Sequence, residues 1–359
     1  MNLRILILCV IIASVVSFYC EKKETSTGPP VIPMPDTTSH DFEWQIDYFG
    51  DGGSSRLSDV CIIDENDIWA VGKINLKDSL GQYIYPPYNA VHWDGQIWEL
   101  KKISTITYYD KIDIIPLTSI FTFNSTEIYV SSSAGAIGNW DGLSWSSQWI
   151  EERQGSIKKI WGKSSSDLYL VGSNGSITYY DGLNWQKLDS GTSLDIQDIW
   201  GARDPHTGEY TVLAVAGSYS TGKECEVLQI NETKVEKIST EGIDRRLGGV
   251  WFDPGRIYYA VGVGIYSKES IDDTVRWGGP IFSLTQYTST AIRGNHVNDV
   301  FIVGSYGDIL HYNGKSWHSY REELGPIGGF GEVAVKGDLV CAVGYEGSRA
   351  IILRGKRIK

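Results

Sequence analysis

The stretch that decides the fold is residues 157–191, which read IKKIWGKSSSDLYLVGSNGSITYYDGLNWQKLDSG. Residues 289–320, which read STAIRGNHVNDVFIVGSYGDILHYNGKSWHSY, repeat its order of apolar, polar and turn-forming residues. The distance from aspartate to tryptophan is 18 residues in both stretches, from Asp167 to Trp185 in the first. A spacing kept between two distant stretches indicates an internally repeated structural unit.

Five further copies of this unit extend the repeat along the chain. Residues 119–145 keep the spacing, and residues 58–98 carry both halves of the unit around an insertion of 13 residues. Degraded copies begin at Ile196, Leu247 and Phe330. The chain therefore contains seven units with a mean period of about 45 residues.

Each unit contains four short strand signals that are separated by tight turns. In the first quoted stretch the signals cover residues 157–161, 167–171, 176–180 and 185–188. Glycine, asparagine and aspartate lie between them and supply the positive φ angles that hairpin turns require. Four antiparallel strands repeated every 40–50 residues are typical of a β-propeller. We therefore predict an all-β fold, a seven-bladed β-propeller of four-stranded antiparallel blades.

The ends of the chain predict how the ring closes. The predicted blades cover residues 57–98, 118–149, 157–190, 196–238, 247–287, 289–320 and 330–356. The last unit ends after its third strand, and residues 42–50, FEWQIDYFG, resemble the missing fourth strand. Pairing this N-terminal strand into the last blade would remove two exposed sheet edges. We predict one domain, residues 42–359, closed in this way.

The composition excludes some classes of function. The 359 residues have 32 Lys+Arg against 44 Asp+Glu, a formal net charge of −12. Phosphate binding needs clustered cations, so nucleic acid is not an expected partner. The chain has 40 glycines and only 2 methionines, which favours short strands and tight turns over helical bundles.

The repeat motif, I-W-G-x-S-x-x-D-[LV]-[YF]-x-V-G-x-x-G-x-I-x-x-Y-[DN]-G-x-x-W, resembles that of bacterial extracytoplasmic β-propeller repeat proteins. It is also similar to Asp-box and sialidase-like propellers and to the propeller of photosystem II assembly factors. The resemblance covers residues 57–356 and implies the propeller fold. An Asp-box reads S-x-D-x-G-x-x-W, whereas Asp181 and Gly182 are adjacent in this chain.

The N-terminus resembles an export signal. Residues 1–19 begin with a positive charge and continue as an apolar run of fifteen residues from Ile5. As a helix the run would span about 22 Å, less than the ~30 Å core of a bilayer, which favours cleavage. The run ends at Cys20, as in a bacterial lipoprotein signal whose cysteine is acylated.

We predict residues 1–19 as a signal peptide, Cys20 as the lipidation site and residues 20–41 as a disordered tether. The protein would then be held by a lipid anchor in the cell envelope, outside the cytoplasm, on a membrane that the sequence does not identify. Phe18 and Tyr19 stand where lipoprotein signals carry small residues. Simple cleavage and an uncleaved anchor are therefore alternatives.

The cysteines beyond Cys20 are Cys61, Cys225 and Cys341, without the paired spacing of a zinc or redox site. Buried free thiols are expected, with a Cys61–Cys341 disulfide as the alternative because these residues fall in adjacent blades. The chain lacks the common hydrolase, nucleotide-binding and metalloprotease motifs, and its six histidines are scattered. We predict no catalytic residue, no metal and no cofactor.

Function is expected where the repeat is interrupted. Residues 73–89 and 267–280 both follow the second strand of a unit, so both should emerge on one face of the ring. We predict that Tyr83, Tyr85, Tyr88 and Trp277 form an aromatic rim that binds a ligand. The alternative is that these side chains form the small core of their own insertions.

We therefore predict a non-enzymatic binding or assembly scaffold for a protein or glycan partner. We also predict that the protein is a monomer. One alternative is a sialidase-like glycan hydrolase or lyase, which needs convergent carboxylates about 5–10 Å apart in the central mouth. The other is a purely structural envelope protein.

Overall fold

The turns of the repeat are made by the aspartates and glycines that the sequence places there. In the third blade, Asp181 accepts hydrogen bonds from the backbone N–H groups of Leu183 and Asn184 at 2.8 and 2.7 Å. Gly182 has φ +90°, a conformation that side chains disfavour. These backbone N–H groups also lower the pKa of Asp181. The same turn recurs after Asp94, Asp141 and Asn313.

The computed structural model describes residues 35–205, 207–218, 224–272, 274–285 and 287–358. Among these residues the strands form seven blades and one small hairpin. The predicted seven-bladed all-β propeller is confirmed. No helix in the described ranges is long and apolar enough to cross a membrane.

The strands, in chain order, have the following bounds. The first strand is β1 (Phe42–Phe49). Blade 1 contains β2 (Arg56–Asp64), β3 (Asp67–Ile74), β4 (Tyr88–Trp93) and β5 (Trp98–Lys101). A hairpin of β6 (Thr105–Ile106) and β7 (Ile112–Asp113) follows. Blade 2 contains β8 (Leu117–Asn124), β9 (Glu127–Ser132), β10 (Ala136–Trp140) and β11 (Trp145–Trp149). Blade 3 contains β12 (Ile157–Ser164), β13 (Asp167–Gly172), β14 (Ile177–Tyr180) and β15 (Trp185–Leu188). Blade 4 contains β16 (Ile196–Arg203), β17 (Tyr210–Gly217), β18 (Cys225–Asn231) and β19 (Lys234–Ile238).

The second half of the ring follows the same order. Blade 5 contains β20 (Leu247–Asp253), β21 (Ile257–Gly262) and β22 (Gly264–Lys268). Blade 6 contains β23 (Ser289–His296), β24 (Asp299–Gly304), β25 (Ile309–Tyr312) and β26 (Trp317–Ser319). Blade 7 contains β27 (Gly329–Lys336), β28 (Leu339–Glu346) and β29 (Arg349–Arg357), and it is completed by β1. A one-turn helix, α1 (Arg321–Leu324), joins blades 6 and 7.

Blade 5 departs from the predicted four strands. Its sheet has three strands, and a single bridge between Ser267 and Gly278 stands where a fourth strand would pair. Trp277, just before this bridge, is only 2% exposed and donates its indole N–H to the carbonyl of Ser239 at 3.0 Å. The degraded repeat of this unit therefore ends in an irregular segment that still covers the sheet.

The hydrophobic core is divided among the seven interfaces between blades. Each of the seven clusters of buried apolar side chains combines residues of two neighbouring blades. The cluster between blades 7 and 1 holds both Cys341 and Val60, for example. No blade can bury its two faces alone, so the ring is stable only when it is closed.

The N-terminal strand closes the ring as the sequence predicts. β1 pairs antiparallel with β29 in continuous register, from Phe42 opposite Arg357 to Phe49 opposite Ala350. Residues 35–41, which the sequence analysis assigns to the tether, bind to blade 6. The side chain of Asn298 donates to the carbonyl of Asp36, and that of Thr38 donates to the carbonyl of Asn298 at 2.6 Å.

The described cysteines are free thiols, so the alternative of a Cys61–Cys341 disulfide is not realised in the structure. Burial raises the pKa of Cys341 to about 12 and that of Cys225 to about 11. Burial also raises the pKa of Cys61. Cys20 and His206 lie outside the described residues.

Candidate functional site

The seven innermost strands share one irregularity at the same position. Each has a register shift at its second or third residue, for example between Leu57 and Asp59 in blade 1 and between Phe330 and Glu332 in blade 7. The full set of shifts lies in β2, β8, β12, β16, β20, β23 and β27. A bulge bends its strand and re-aims its side chains. This ring of bulges lies where the central channel opens on the face that carries the linkers between blades, the upper face.

A network of buried charges lies just below the bulges. Lys159 contacts Asp59 at 2.8 Å and Glu332 at 2.7 Å, and Arg293 contacts Asp198 at 2.7 Å. These five side chains come from five blades and are each at most 8% exposed. They form the channel network, which divides the channel into an upper and a lower chamber.

The charges in the channel network stabilise one another against the cost of burial. Burial alone would lower the pKa of Lys159, but the carboxylates of Asp59 and Glu332 hold it above its usual value. Burial alone would raise the pKa of Asp198, but the guanidinium of Arg293 holds it below its usual value. For Glu332 burial prevails and its pKa is raised. The carboxylates that converge in the channel are thus ion-paired with Lys159 and Arg293.

The upper chamber has a volume of about 740 Å³ and opens on the upper face. One side of its wall is nearly bare backbone from blade 7. A side-chain carbon at Gly331 would meet nothing closer than 3.9 Å, and one at Gly329 nothing closer than 4.0 Å. Because neither residue has a positive φ, neither packing nor backbone conformation requires glycine there. The glycines leave the mouth open.

Two tyrosines stand at the rim of this mouth. Tyr306 is 64% exposed and Tyr345 is 52% exposed, and both line the upper chamber. The ring of Tyr306 lies 4.7 Å from that of Tyr287, on which the guanidinium of Arg321 stacks at 4.3 Å. This arrangement holds the exposed Tyr306 ring in place beside the opening.

Tyr306 also has a strained backbone. Its φ is 59° and its ψ is 33°, in the left-handed region that a bulky side chain rarely occupies. At the corresponding turn of blade 3 the residue with φ 57° is Asn174, a type that tolerates this conformation. Strained residues cluster at binding sites, where the function of the side chain compensates for the cost of the strain.

Cations complete the upper mouth. Arg56 is exposed and Arg321 is half-buried, and both line the chamber. Lys158 lies at the mouth beside Gln197 and contacts Asp195 at 2.9 Å. The mouth of an acidic protein therefore presents tyrosine rings, guanidinium groups and open backbone, which are features of a surface that binds polypeptide.

The structure separates the four residues that the sequence analysis groups into an aromatic rim. Tyr83 and Tyr85 are 50% and 84% exposed on the insertion of blade 1, and Tyr88 begins β4 with the ammonium of Lys102 at 4.7 Å from its ring. Trp277 belongs to blade 5 and is buried in the cluster between blades 4 and 5. The expectation that Trp277 stands on a rim is wrong, because its indole fills the core of a blade that lacks a fourth strand. Ligand binding by the three tyrosines stays a prediction.

Sequence reasoning missed Tyr306, Tyr345 and Gly331. A signal for two of them was present. Tyr306 occupies the turn position that Asn174 occupies in the other well-preserved unit, and residues 325–331, GPIGGFG, have more glycine than any turn there requires. Both signals are changes of residue type at positions of the repeat, whereas the sites were predicted at insertions.

Comparisons with solved structures recover the same architecture. YCF48 bound to D1 peptide superposes with a TM-score of 0.62 and 18% identity, over 92% of this chain and 99% of the other. YCF48 from Cyanidioschyzon merolae gives 0.59 and 14%, over 86% and 98%. Virginiamycin B lyase from Staphylococcus aureus gives 0.62 and 10%, over 89% and 100%.

These likenesses establish the fold alone. The chain matches no protein-family model and no curated protein. The β-propeller class implied by the repeat motif is therefore confirmed, whereas the bacterial extracytoplasmic family stays a prediction.

Proposed function

We propose that this protein is a non-enzymatic scaffold that binds an extended segment of a partner protein at its upper mouth. The observation that carries the proposal is the left-handed, exposed Tyr306 at the rim. An asparagine there would relieve backbone strain of about 1–3 kcal/mol, so the tyrosine ring has a use that compensates for it. The solved structure of YCF48 with a peptide supports the choice of a polypeptide, because it is a propeller of similar fold.

The size and chemistry of the mouth agree with this partner. A volume of about 740 Å³ lies within the range of specific ligand sites, roughly 300–1,000 Å³. Tyrosine supplies much contact area for little side-chain entropy. Tyrosine and arginine are both enriched among the residues that dominate the energetics of protein interfaces. The bare backbone of Gly329 and Gly331 admits a chain segment that larger side chains would keep out.

The experiment is a selection of random linear peptides on the immobilised protein, followed by affinity measurement on the selected peptides. Tyr306→Asn should weaken binding at least tenfold while the melting temperature stays the same or rises. Gly331→Leu should block binding without backbone strain. Leu143→Ser, at an 89% exposed turn on the lower face, is the matched control and should change neither property.

Two results would contradict the proposal: peptides that bind Tyr306→Asn and Gly331→Leu as tightly as the wild type, or no selectable peptide at all. The same peptides test the prediction for Tyr83, Tyr85 and Tyr88. Alanine at Tyr83 and Tyr85 should weaken binding with little change in stability if the insertion of blade 1 contributes to the site.

A glycan is the second candidate partner, and one observation favours it. Tyr108 and Tyr109 are 69% and 78% exposed on the linker before blade 2, and Tyr108 lies 5.5 Å from the ring of Trp149. Exposed aromatic rings of this kind stack on sugars. Binding on a glycan array that is lost in Tyr108→Ala and Tyr109→Ala would favour the glycan, and an unchanged signal in both variants would exclude this surface.

A further inference from the structure

The channel below the network holds a second cavity of different character. The lower chamber has a volume of about 200 Å³ and lies between the network and the lower ends of the innermost strands. Its wall is apolar and aromatic, with Phe121, Trp161 and Trp200 on one side and Cys61 and Ala334 on the other. Gly294 also lies on this wall, and the polar side chains of the lining are few: Thr122, Lys159, Arg293 and Lys336.

Two indoles, those of Trp161 and Trp200, border this chamber, and the repeat explains why they pack differently. Trp161 lies against Gly201 of the next blade, where an added side-chain carbon would come within 2.1 Å of the ring. Trp251 lies against Gly294 of its next blade in the same way. Blade 5 has Phe252 at the position of those glycines, so Trp200 cannot lie flat against it.

Trp200 instead contacts three of the clusters between blades, and its ring faces the guanidinium of Arg293 at 5.2 Å. Across the channel, the equivalent positions in blades 1 and 7 carry the small residues Cys61 and Ala334. Large rings on one wall and small side chains on the other leave the space that forms the chamber.

The roof of the chamber limits the charge of what can bind. Lys159 and Arg293 line it, but Lys159 is held by Asp59 and Glu332, and Arg293 by Asp198. The network contains three carboxylates and two cations, so an anionic ligand gains no unpaired positive charge from the roof. The remaining cation of the lining, Lys336, is exposed at the end of β27, where solvent screens its charge. A cationic ligand would lie against the ammonium of Lys159 and the guanidinium of Arg293 and be repelled by them. A neutral ring fits, because it can stack on the indole and beneath the guanidinium.

The volume limits the size of the ligand. A closed apolar cavity of about 150 Å³ takes up benzene in a well-studied protein. A chamber of about 200 Å³ therefore holds one ring or a fused pair of rings, and nothing as large as a nucleotide.

We propose that the lower chamber binds a neutral planar aromatic ring, which enters from the lower face. The ring is carried either by a small free compound or by an aromatic side chain of a partner. This site is separate from the upper mouth, since the channel network lies between them. The proposal therefore stands or falls independently of the peptide-binding function.

The test uses indole as the probe and measures its binding to the purified protein by saturation-transfer NMR and by thermal shift. Indole should bind saturably, and indole-3-acetate and tryptamine should bind at least several-fold more weakly. Ala334→Phe, which fills the chamber, should reduce indole binding at least tenfold. Leu143→Ser, at the exposed turn of blade 2, is the matched control and should leave indole binding unchanged.

A second variant keeps the test decisive if Ala334→Phe does not fold. Trp200→Leu removes the stacking face without adding volume, and it should also reduce indole binding at least tenfold. No saturable binding of indole up to about 10 mM would overturn the proposal. Equal binding to the wild type and to the folded variants would overturn it as well.

The source of the ring is decided by a comparison of two probes. The peptide Gly-Gly-Trp-Gly-Gly carries the same ring on a polypeptide. If it binds at least as tightly as indole, the chamber receives a partner's side chain. If indole binds more tightly, the chamber receives a free compound.

Discussion

At the scale of residues, the channel network shows how charge is accommodated in the centre of the ring. Asp59 receives the ammonium of Lys159, the hydroxyl of Ser119 at 2.7 Å and the backbone N–H of Ile120 at 2.9 Å. A buried charge that keeps all of its partners costs little, whereas one that loses a partner is strongly destabilising. The network thus couples blades 1, 2 and 3 through side chains and one backbone N–H group.

We expect Lys159→Met to lower the free energy of unfolding by about 3–5 kcal/mol, because it leaves the Asp59 and Glu332 carboxylates buried without their ammonium. Chemical denaturation measures the change. Lys187→Met, at an exposed lysine of blade 3, is the control and should be close to neutral. A cost below 1 kcal/mol for Lys159→Met would show that the network does not hold the ring together.

A group of histidines fixes the N-terminal segment at the lower face. His40 Nδ1 lies 2.9 Å from His311 Nδ1, and the rings of His40 and His318 are 5.2 Å apart. Arg357 and Asp41 also act on His40 electrostatically, His311 is hydrogen-bonded to Asp299, and His318 contacts Glu323. Burial, and then the positive charges of His311, His318 and Arg357, lower the pKa of His40 to about 4.

This lowered pKa predicts a loss of stability in mild acid. The unfolded chain takes up a proton on His40 below its usual pKa of 6.5, whereas the folded protein does so only near 4. The contribution is therefore complete above pH 6.5 and is lost as the pH falls toward 4. Burial lowers the pKa of His311 as well, which adds to the loss in the same direction.

We expect the melting temperature to fall between pH 7 and pH 5, and His40→Gln to reduce that fall. Melting curves at a series of pH values measure it, with His296→Gln at an exposed histidine as the control. A pH profile that is the same in His40→Gln and the wild type would refute the assignment.

At the scale of elements, β1 is the strand that makes the ring a closed structure. It contributes eight residue pairs to blade 7, and Phe42 and Trp44 pack on the cluster between blades 6 and 7. An added side chain at Gly355 would come within 2.5 Å of the Trp44 ring, so the strand fits closely against β29. Without β1, the outer edge of β29 would be exposed to pairing with other chains.

Deleting residues 42–50 should leave blade 7 one strand short and cause aggregation or a large fall in melting temperature. Light scattering and melting curves measure the two outcomes. The control shortens the insertion of blade 1 by replacing residues 78–82 with two glycines, which leaves β3 and β4 intact and should change little. An unchanged melting curve for the deletion variant would show that β1 is not needed to close the ring.

At the scale of the whole molecule, the ring has two unlike faces. The first described residues, 35–41, bind the lower face at blade 6, and the mouth with Tyr306 opens on the upper face. The chain therefore enters the propeller on the face opposite the proposed peptide site.

We propose that Cys20 is lipidated and anchors the protein in the cell envelope. In the native host, the protein should take up a fatty-acid analogue and partition into detergent, because several acyl chains anchor a protein stably. Cys20→Ser should abolish both properties without changing the melting temperature of the propeller. Soluble wild-type protein whose N-terminus lies beyond Cys20 would show simple cleavage instead.

The sequence by itself determined the propeller, its seven blades and the closing strand, since these follow from local patterns. An aspartate–glycine turn and an alternating strand are set by neighbours in the chain, and a period of about 45 residues counts the copies. For Asp67 and Asp299, local patterns predict the position but not the hydrogen-bond partner. We expect turn acceptors at this position, but in the structure they hold the imidazoles of His92 and His311 on the adjacent strand of the blade.

Only the tertiary structure decided where the sites lie. Trp277 became a core residue because blade 5 lacks a fourth strand, and Trp200 borders the lower chamber because Phe252 of the next blade displaces it. The upper mouth likewise unites Tyr306, Gly331 and Arg56 from three blades. Such contacts join residues up to 275 positions apart across the channel, and no local pattern records which side chains will face each other there.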